Sequence, residues 1–185
     1  VIGGGIIGIS IARELKTRYP DCKILVLEKE ARCGLHGSGH NSGVLHAGFY
    51  YTSDSLKARF TRQGNQQLTE YCHAKNLKIN KCGKLVVAKN EIELEGLQEL
   101  LIRSKQNGVE LCEISEAEAR DIEPKVKTYS KALFSPTTST IDPIEVLSSL
   151  LIDAQNEGIS VRFGEEYIGR KNNIIRTHTE TYEAG

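Results

Sequence analysis

Three glycines open the chain at the spacing a dinucleotide site needs. Gly3, Gly5 and Gly8 satisfy G-x-G-x-x-G, with Ile6 and Ile7 between the last two. Gly3 permits a tight turn, Gly5 lets backbone approach a pyrophosphate, and Gly8 lets a helix close on a strand. Such a turn aims N–H groups and the positive end of a helix dipole at phosphate. Glu28 stands 20 residues beyond Gly8, where an acid accepts from a ribose 2′-hydroxyl and disfavours a 2′-phosphate. A second glycine-rich run, Ser38-Gly39-His40-Asn41-Ser42-Gly43-Val44, lies within 34–52, a stretch with five glycines, three histidines and no helical period. The glycines alone do not decide between FAD and NAD. A short NAD unit would pass from its second strand into a helix, whereas a long irregular loop here suits the lining of a tricyclic isoalloxazine.

These residues need a βαβ scaffold, and the pattern supplies one. Val1-Ile2 reads as the tail of a buried strand. A helix is predicted over 6–19, with Ile7, Ile11 and Leu15 on one face, ended by Pro20. Lys23 to Glu28 reads as a second buried strand, which makes the sheet parallel. A helix over 55–75 follows, presenting Leu56, Phe60, Leu68 and Cys72. Gly64 in its middle costs about 1 kcal/mol relative to Ala, with a close packing contact as the expected compensation.

From 77 onward the pattern is α+β. It gives a strand at 85–88, an amphipathic helix at 91–107 with Leu94, Leu97 and Leu101 inward and Gly108 as its stop, and a strand at 109–114. A capping box at 115–118 opens a short helix that ends before Pro124, and a strand follows at 132–136. Asp142, Pro143 and Glu145 then form a strong helix start. That helix presents Ile144, Leu147, Leu151 and Ala154 and stops at Gly158. A strand at 160–163 and a hairpin around Asn172-Asn173 complete the pattern. The expected class is α/β: a Rossmann-like domain with a parallel sheet, interrupted by an α+β segment. The expected division is 1–76, 77–141 and 142–185.

Composition removes other readings. The 185 residues carry 24 Lys plus Arg and 24 Asp plus Glu, a net charge of zero. Nucleic-acid binding needs a basic face, and nothing here provides one. No apolar run reaches the roughly 18 to 20 residues of a membrane span. The five cysteines are odd in number and form no CxxC pair, which argues against a zinc site or a disulfide framework and for reduced thiols in a cytoplasmic-type compartment. No metal site is expected. With no Met, and with Val1 opening directly into VIGGG without a signal-peptide pattern, the chain reads as part of a longer protein.

VIGGGIIG, LEKE and above all GHNSGVLHAGFYYTSDSLKAR resemble the FAD-dependent amine and hydroxy-acid oxidoreductases, the D-amino-acid oxidase-like family. Within it they are most similar to the enzymes that oxidise L-2-hydroxyglutarate. SPTTSTIDP before the capped helix resembles that family's return from substrate domain to flavin domain. The resemblance implies FAD as cofactor. Gly3, Gly5, Gly8, Glu28 and Lys29 would hold its ADP half, with Ile6 and Ile7 at the helix mouth. Ser38, Gly39, His40, Asn41, Ser42, Gly43 and Val44 would run beside pyrophosphate and flavin. The segment around Tyr167 resembles the strand whose backbone meets the adenine. The family's later parts, including its second glycine-containing strand segment, are absent.

In such chemistry a hydride leaves the hydroxyl-bearing carbon for flavin N5, and a base takes the hydroxyl proton. His46 is the first candidate for that base, since imidazole titrates near neutrality. His36 also lies near the proposed flavin loop; His40 is a flavin contact or a covalent tether. Lys57 and Arg59, with Arg62 behind them, are candidate carboxylate clamps, against the reading that they are solvated helix charges. Tyr50 and Tyr51 either donate hydroxyls to substrate or pack under the loop. The reaction implied is oxidation of a small 2-hydroxy acid, L-2-hydroxyglutarate, to its oxo acid. An amino acid, a secondary amine or glycerol 3-phosphate remains an alternative substrate, and a non-catalytic or NAD-using module an alternative class. Oxygen or a quinone would re-oxidise the flavin, and a quinone would place the protein at the inner face of a membrane.

Overall fold

The computed structural model describes all 185 residues. In chain order the first elements are α1 (Ile6–Arg18), β1 (Leu25–Glu28), β2 (Val44–Leu45), α2 (Leu56–Ala74), β3 (Ile79–Asn80) and β4 (Lys84–Val87). Next come α3 (Glu91–Asn107), β5 (Cys112–Ser115), α4 (Glu116–Ile122), β6 (Lys131–Ser135), β7 (Ser139–Ile141) and α5 (Pro143–Asn156). The chain ends with β8 (Ser160–Phe163), β9 (Tyr167–Lys171), β10 (Ile174–Thr177) and β11 (Thr181–Glu183). These elements form two compact units, Val1–Ser42 with Asp142–Gly185, and Gly43–Ile141.

The first unit holds the parallel sheet. β1 pairs β8 in parallel, Leu25 opposite Ser160 through Glu28 opposite Phe163. On the other side of β1, Ile2 bridges Leu27 in parallel, with Gly3 N–H to Leu27 O at 2.8 Å and Leu27 N–H to Val1 O at 3.0 Å. Ile2 itself is half exposed, so this opening strand is not buried as its composition suggests. The apolar stripe of α1 is also turned outward, Ile7 being 71%, Ile11 48% and Leu15 36% exposed. The glycine turn sets Gly8 against Gly3, and the helical period carries Ile9 and Ala12, both fully buried, into the core. α5 meets that core with Val146, Leu147, Leu150 and Ala154, while Ile144, expected inward, is exposed and Leu151 only half covered. The Asp142 carboxylate caps α5 by accepting from Ile144 and Glu145 N–H, as the helix-start pattern requires. β9, β10 and β11 form an antiparallel meander whose first turn is at Asn172, with φ 53°.

The second unit contains two antiparallel three-stranded sheets, ordered β2-β7-β3 and β4-β6-β5. Ala88, Leu97 and Leu133 form one buried cluster; Ala47, Phe49 and Val109 form another. The α4 capping box is present, Ser115 accepting from Glu118 N–H while Glu118 reaches back to Ser115 N–H. α3 ends at Gly108 in the left-handed region. On α2, Cys72 is buried, but Leu56 and Phe60 are exposed. Gly64 faces open space rather than a close neighbour, so packing does not compensate its helical cost.

This unit begins at Gly43, not at 77. Two-residue pairing of β2 with β7 and hydrogen bonds from α2 and α3 draw residues 43–76 into the same body as 77–141. Pairings that short leave no periodic trace in a sequence.

Candidate functional site

In the first unit the two glycine-rich runs meet. α1 begins without a cap from its own N-cap residue, Gly5. The cap comes from Ser38, whose hydroxyl accepts the Ile6 N–H at 3.0 Å. A Cβ on Gly8 would lie 1.9 Å from Gly3 O, and one on Gly5 would lie 2.9 Å from Ser38 Oγ. Gly8 therefore demands the smallest residue, and a side chain at Gly5 would push the Ser38 hydroxyl from its capping position. The carboxylate of Glu28, buried at the end of β1, accepts Gly4 N–H at 2.7 Å and Glu30 N–H at 3.0 Å. Each of its oxygens keeps a further lone pair for an incoming hydroxyl.

Two cavities adjoin these groups. One, of about 280 Å³, is lined by Gly5, Glu28, Gly34, Leu35, His36, Gly37 and Ser38. The other, of about 340 Å³, is lined by Ile2, Gly3, Leu27, Glu28, Lys29, His36, Glu165, Glu166 and Tyr167. The structure thus brings Gly3, Gly5, Glu28, Lys29, Ser38 and Tyr167 to adjoining openings that share Glu28 and His36. A glycine turn at a helix start, a buried acid at a strand end and an exposed tyrosine are a set that fits an adenine dinucleotide.

Within the loop, His40 Nδ1 lies 3.1 Å from His36 O, and Asn41 donates to the carbonyls of Gly37 and Ser38. Gly39 packs on Gly34, and Ser42 lies at the surface. Gly43 and Val44 fall in the second unit, where Gly43 O accepts Ile141 N–H and Val44 heads β2.

Sequence spacing gave His36 no firm role, yet its ring lines both cavities and bonds Glu30 at 2.8 Å, which lowers that carboxyl's pKa. Cys33 was not anticipated either. Burial first, then the Glu28 charge, push its thiol up to about 11, so it stays protonated beside Gly4. No spacing rule marks a single cysteine in a loop.

The second unit carries the remaining candidates. His46 lies at the surface just past β2. Partial burial of its ring and the nearby charge of Lys84 both lower its pKa from 6.5. Its imidazole is therefore neutral at pH 7, the form that accepts a proton. Asn65 Nδ2 donates toward Leu45 O, His46 O and Thr137 O at 3.1 to 3.2 Å and pins the backbone there. Tyr50 stacks obliquely on Phe49 at 4.2 Å, under the ammonium of Lys84 at 4.8 Å. Lys57 lies 4.5 Å over the Tyr51 ring, and Arg59 lies 4.9 Å over Phe60; both cations are exposed on α2. The buried amide of Asn107 donates to Gly48 O and Tyr51 O and so fixes the tyrosine segment.

A glycine turn within a parallel βαβ unit, closed by a loop hydroxyl and flanked by a buried acid, defines a dinucleotide-binding fold. The chain belongs to the FAD dependent oxidoreductase (DAO) family, whose pattern matches residues 1–184, and FAD is that family's cofactor. It is 36% identical over 178 residues to the L-2-hydroxyglutarate dehydrogenase of Escherichia coli K12, covering 95% of this chain and 42% of that protein. It is 40% identical to the mitochondrial L-2-hydroxyglutarate dehydrogenase of Nematostella vectensis, covering 100% of this chain and 41% of that one. The chain therefore spans about two fifths of the length of these relatives. Among solved structures, FAD-bound L-alpha-glycerophosphate oxidase from Mycoplasma pneumoniae matches with a TM-score of 0.85 at 27% identity, over 98% of this chain and 50% of that one. L-Proline dehydrogenase from P. horikoshii shares the fold, with a TM-score of 0.87 at 22% identity over 100% of this chain and 50% of that one. No helix is long and apolar enough to cross a membrane.

Proposed function

We propose that the protein oxidises L-2-hydroxyglutarate to 2-oxoglutarate. The observation that carries this reading is the 36% to 42% identity to proteins named L-2-hydroxyglutarate dehydrogenase, from bacteria to Homo sapiens, across most of the chain. The first unit would hold the ADP half of FAD through the turn at Gly3, Gly5, Ile6, Ile7 and Gly8, with Glu28 and Lys29 on the ribose side and Tyr167 on the adenine side. Ser38 to Val44 would run beside pyrophosphate and flavin. When bound, FAD supplies a two-electron acceptor at N5.

The protein's own groups handle the proton and the substrate charge. Neutral His46 takes the C2 hydroxyl proton as the C2–H bond gives up its electron pair and C2 becomes a carbonyl carbon. Protonated His46 then passes the proton to solvent, which its surface position permits. Tyr50 and Tyr51 offer hydroxyls to the substrate, and Lys57 and Arg59 are cations within its second unit. Oxygen or a quinone would accept the electrons afterwards. A cytoplasmic location suits the five free thiols, and a quinone acceptor would add peripheral attachment at the inner face of a membrane.

The test is anaerobic. The flavin of the holoenzyme should bleach with L-2-hydroxyglutarate and not with its D enantiomer, an amino acid, a secondary amine or glycerol 3-phosphate. Bleaching by one of those others alone would move the substrate elsewhere in the family.

A further inference from the structure

Lys84 begins β4, directly opposite Ser135 on β6. Leu45, the neighbour of His46, lies opposite Ser139 on β7. Residues 136–138 join those two partner strands, and both sides are tied to this turn. Gly83 N–H donates to Thr138 O at 3.0 Å, while Asn65 reaches Thr137 O as well as Leu45 O and His46 O. One turn thus ties the strand that starts at Lys84 to the strand that precedes His46, and the charge of Lys84 is the second cause lowering the His46 pKa.

The ammonium lacks a counter-charge. Lys84 is half-buried, its ammonium lies 4.8 Å over the Tyr50 ring, and its charge acts on His46; neither group is anionic. Other half-covered cations of this unit are paired: Lys131 with Glu113 at 2.8 Å, and Arg103 with Glu99 while it also donates to Tyr50 O. Exposed Lys57 and Arg59 need no partner, because water serves them. An ammonium has three N–H donors, and a ring face satisfies at most part of that demand. A half-buried ammonium with no acid beside it keeps N–H donors for an anion.

We infer that Lys84 is the residue that binds a carboxylate of the substrate, next to the hydroxyl that His46 deprotonates. This deepens the 2-hydroxy-acid reading and rests on it. Lys84, rather than the α2 cations Lys57 and Arg59, is then the specificity-determining charge of the second unit.

The experiment uses the holoenzyme with K84M, K84Q and K84R. Glutarate, which has both carboxylates but no hydroxyl to oxidise, is titrated against the flavin absorbance, and pentanoate serves as its one-carboxylate counterpart. K84M and K84Q should weaken glutarate binding about 10- to 100-fold, the worth of charge-assisted hydrogen bonds. Flavin content should be unchanged, and K84R should restore most of the affinity. Glutarate and L-2-hydroxyglutarate binding unchanged in both neutral variants overturns the inference. Should K84M fail to fold, K84Q decides alone: glutarate and pentanoate each binding K84Q as tightly as the wild type would also overturn it. If L-2-hydroxyglutarate does not bleach the wild-type flavin while glutarate binds through Lys84, the substrate reading falls and the carboxylate site stands.

Discussion

The hydroxyl of Ser38 accepts the N–H of Ile6 at 3.0 Å, so the second glycine-rich run caps the helix that the first run opens. The two motifs are 32 residues apart and are one structure at this point. A capping hydroxyl contributes about 1 kcal/mol. S38A should lower the melting temperature by a few degrees and weaken FAD retention on dialysis, whereas S38T should retain most of both. An S38A protein that melts and holds flavin like the wild type would show that the contact is incidental.

Two glycines on helices make opposite predictions. A Cβ on Gly8 would lie 1.9 Å from Gly3 O, so G8A must shift the turn, with a cost of about 1 to 3 kcal/mol and loss of flavin. Gly64 has open space around it, so G64A should stabilise by about 1 kcal/mol through helix propensity alone. Thermal melts of the two variants check both signs.

His46 should control the proton step. H46N is expected to slow anaerobic flavin reduction about 10²- to 10⁴-fold with FAD still bound. The pKa of His46 is lowered, first by burial and second by Lys84, so the neutral base persists below pH 6.5. The reduction rate should therefore hold as pH falls toward 6.5 and decline only below it. K84M should move that acidic limb upward, because removing the positive charge restores imidazolium. A limb that ignores both substitutions would assign the proton to another group.

Asn107 is the clamp of the tyrosine segment. N107A removes donors to Gly48 O and Tyr51 O in a buried position, for a cost of about 2 to 3 kcal/mol. Urea unfolding measures it, and a midpoint unchanged from wild type would contradict the assignment.

The sequence carried much of this molecule openly, because caps and glycine turns are local. Asp142-Pro143, Ser115 with Glu118, and Gly108 announce their helix ends in a few adjacent residues. Facing was harder. Ile7, Ile11 and Leu15 look like an inward stripe, yet the face of α1 that carries Ile9 and Ala12 is the one buried within these residues, with Gly8 close against Gly3. The start of the second unit was hidden for a related reason, since Val44-Leu45 pairs with a strand nearly a hundred residues on. Gly3, Gly5, Glu28, Lys29, Ser38 and Tyr167 could be picked out by spacing and resemblance, and the structure places them around adjoining openings. Lys84 could not. In the sequence it is one more lysine entering a strand; its isolation from acids exists only after β4 and β2 meet the same turn.

Asn107 is followed by Gly108, a pairing whose flexible backbone favours spontaneous hydrolysis of the amide through a cyclic imide. Its place at the end of α3, with the amide held by two carbonyls, restrains that reaction as long as the helix end stays closed. Once the amide became an acid, two attractive contacts would turn into repulsions between oxygens. Fraying of that one helical turn would then be what opens the amide to water, and the conversion would loosen the tyrosine pair, which lies in the unit that does not carry the opening glycine turn.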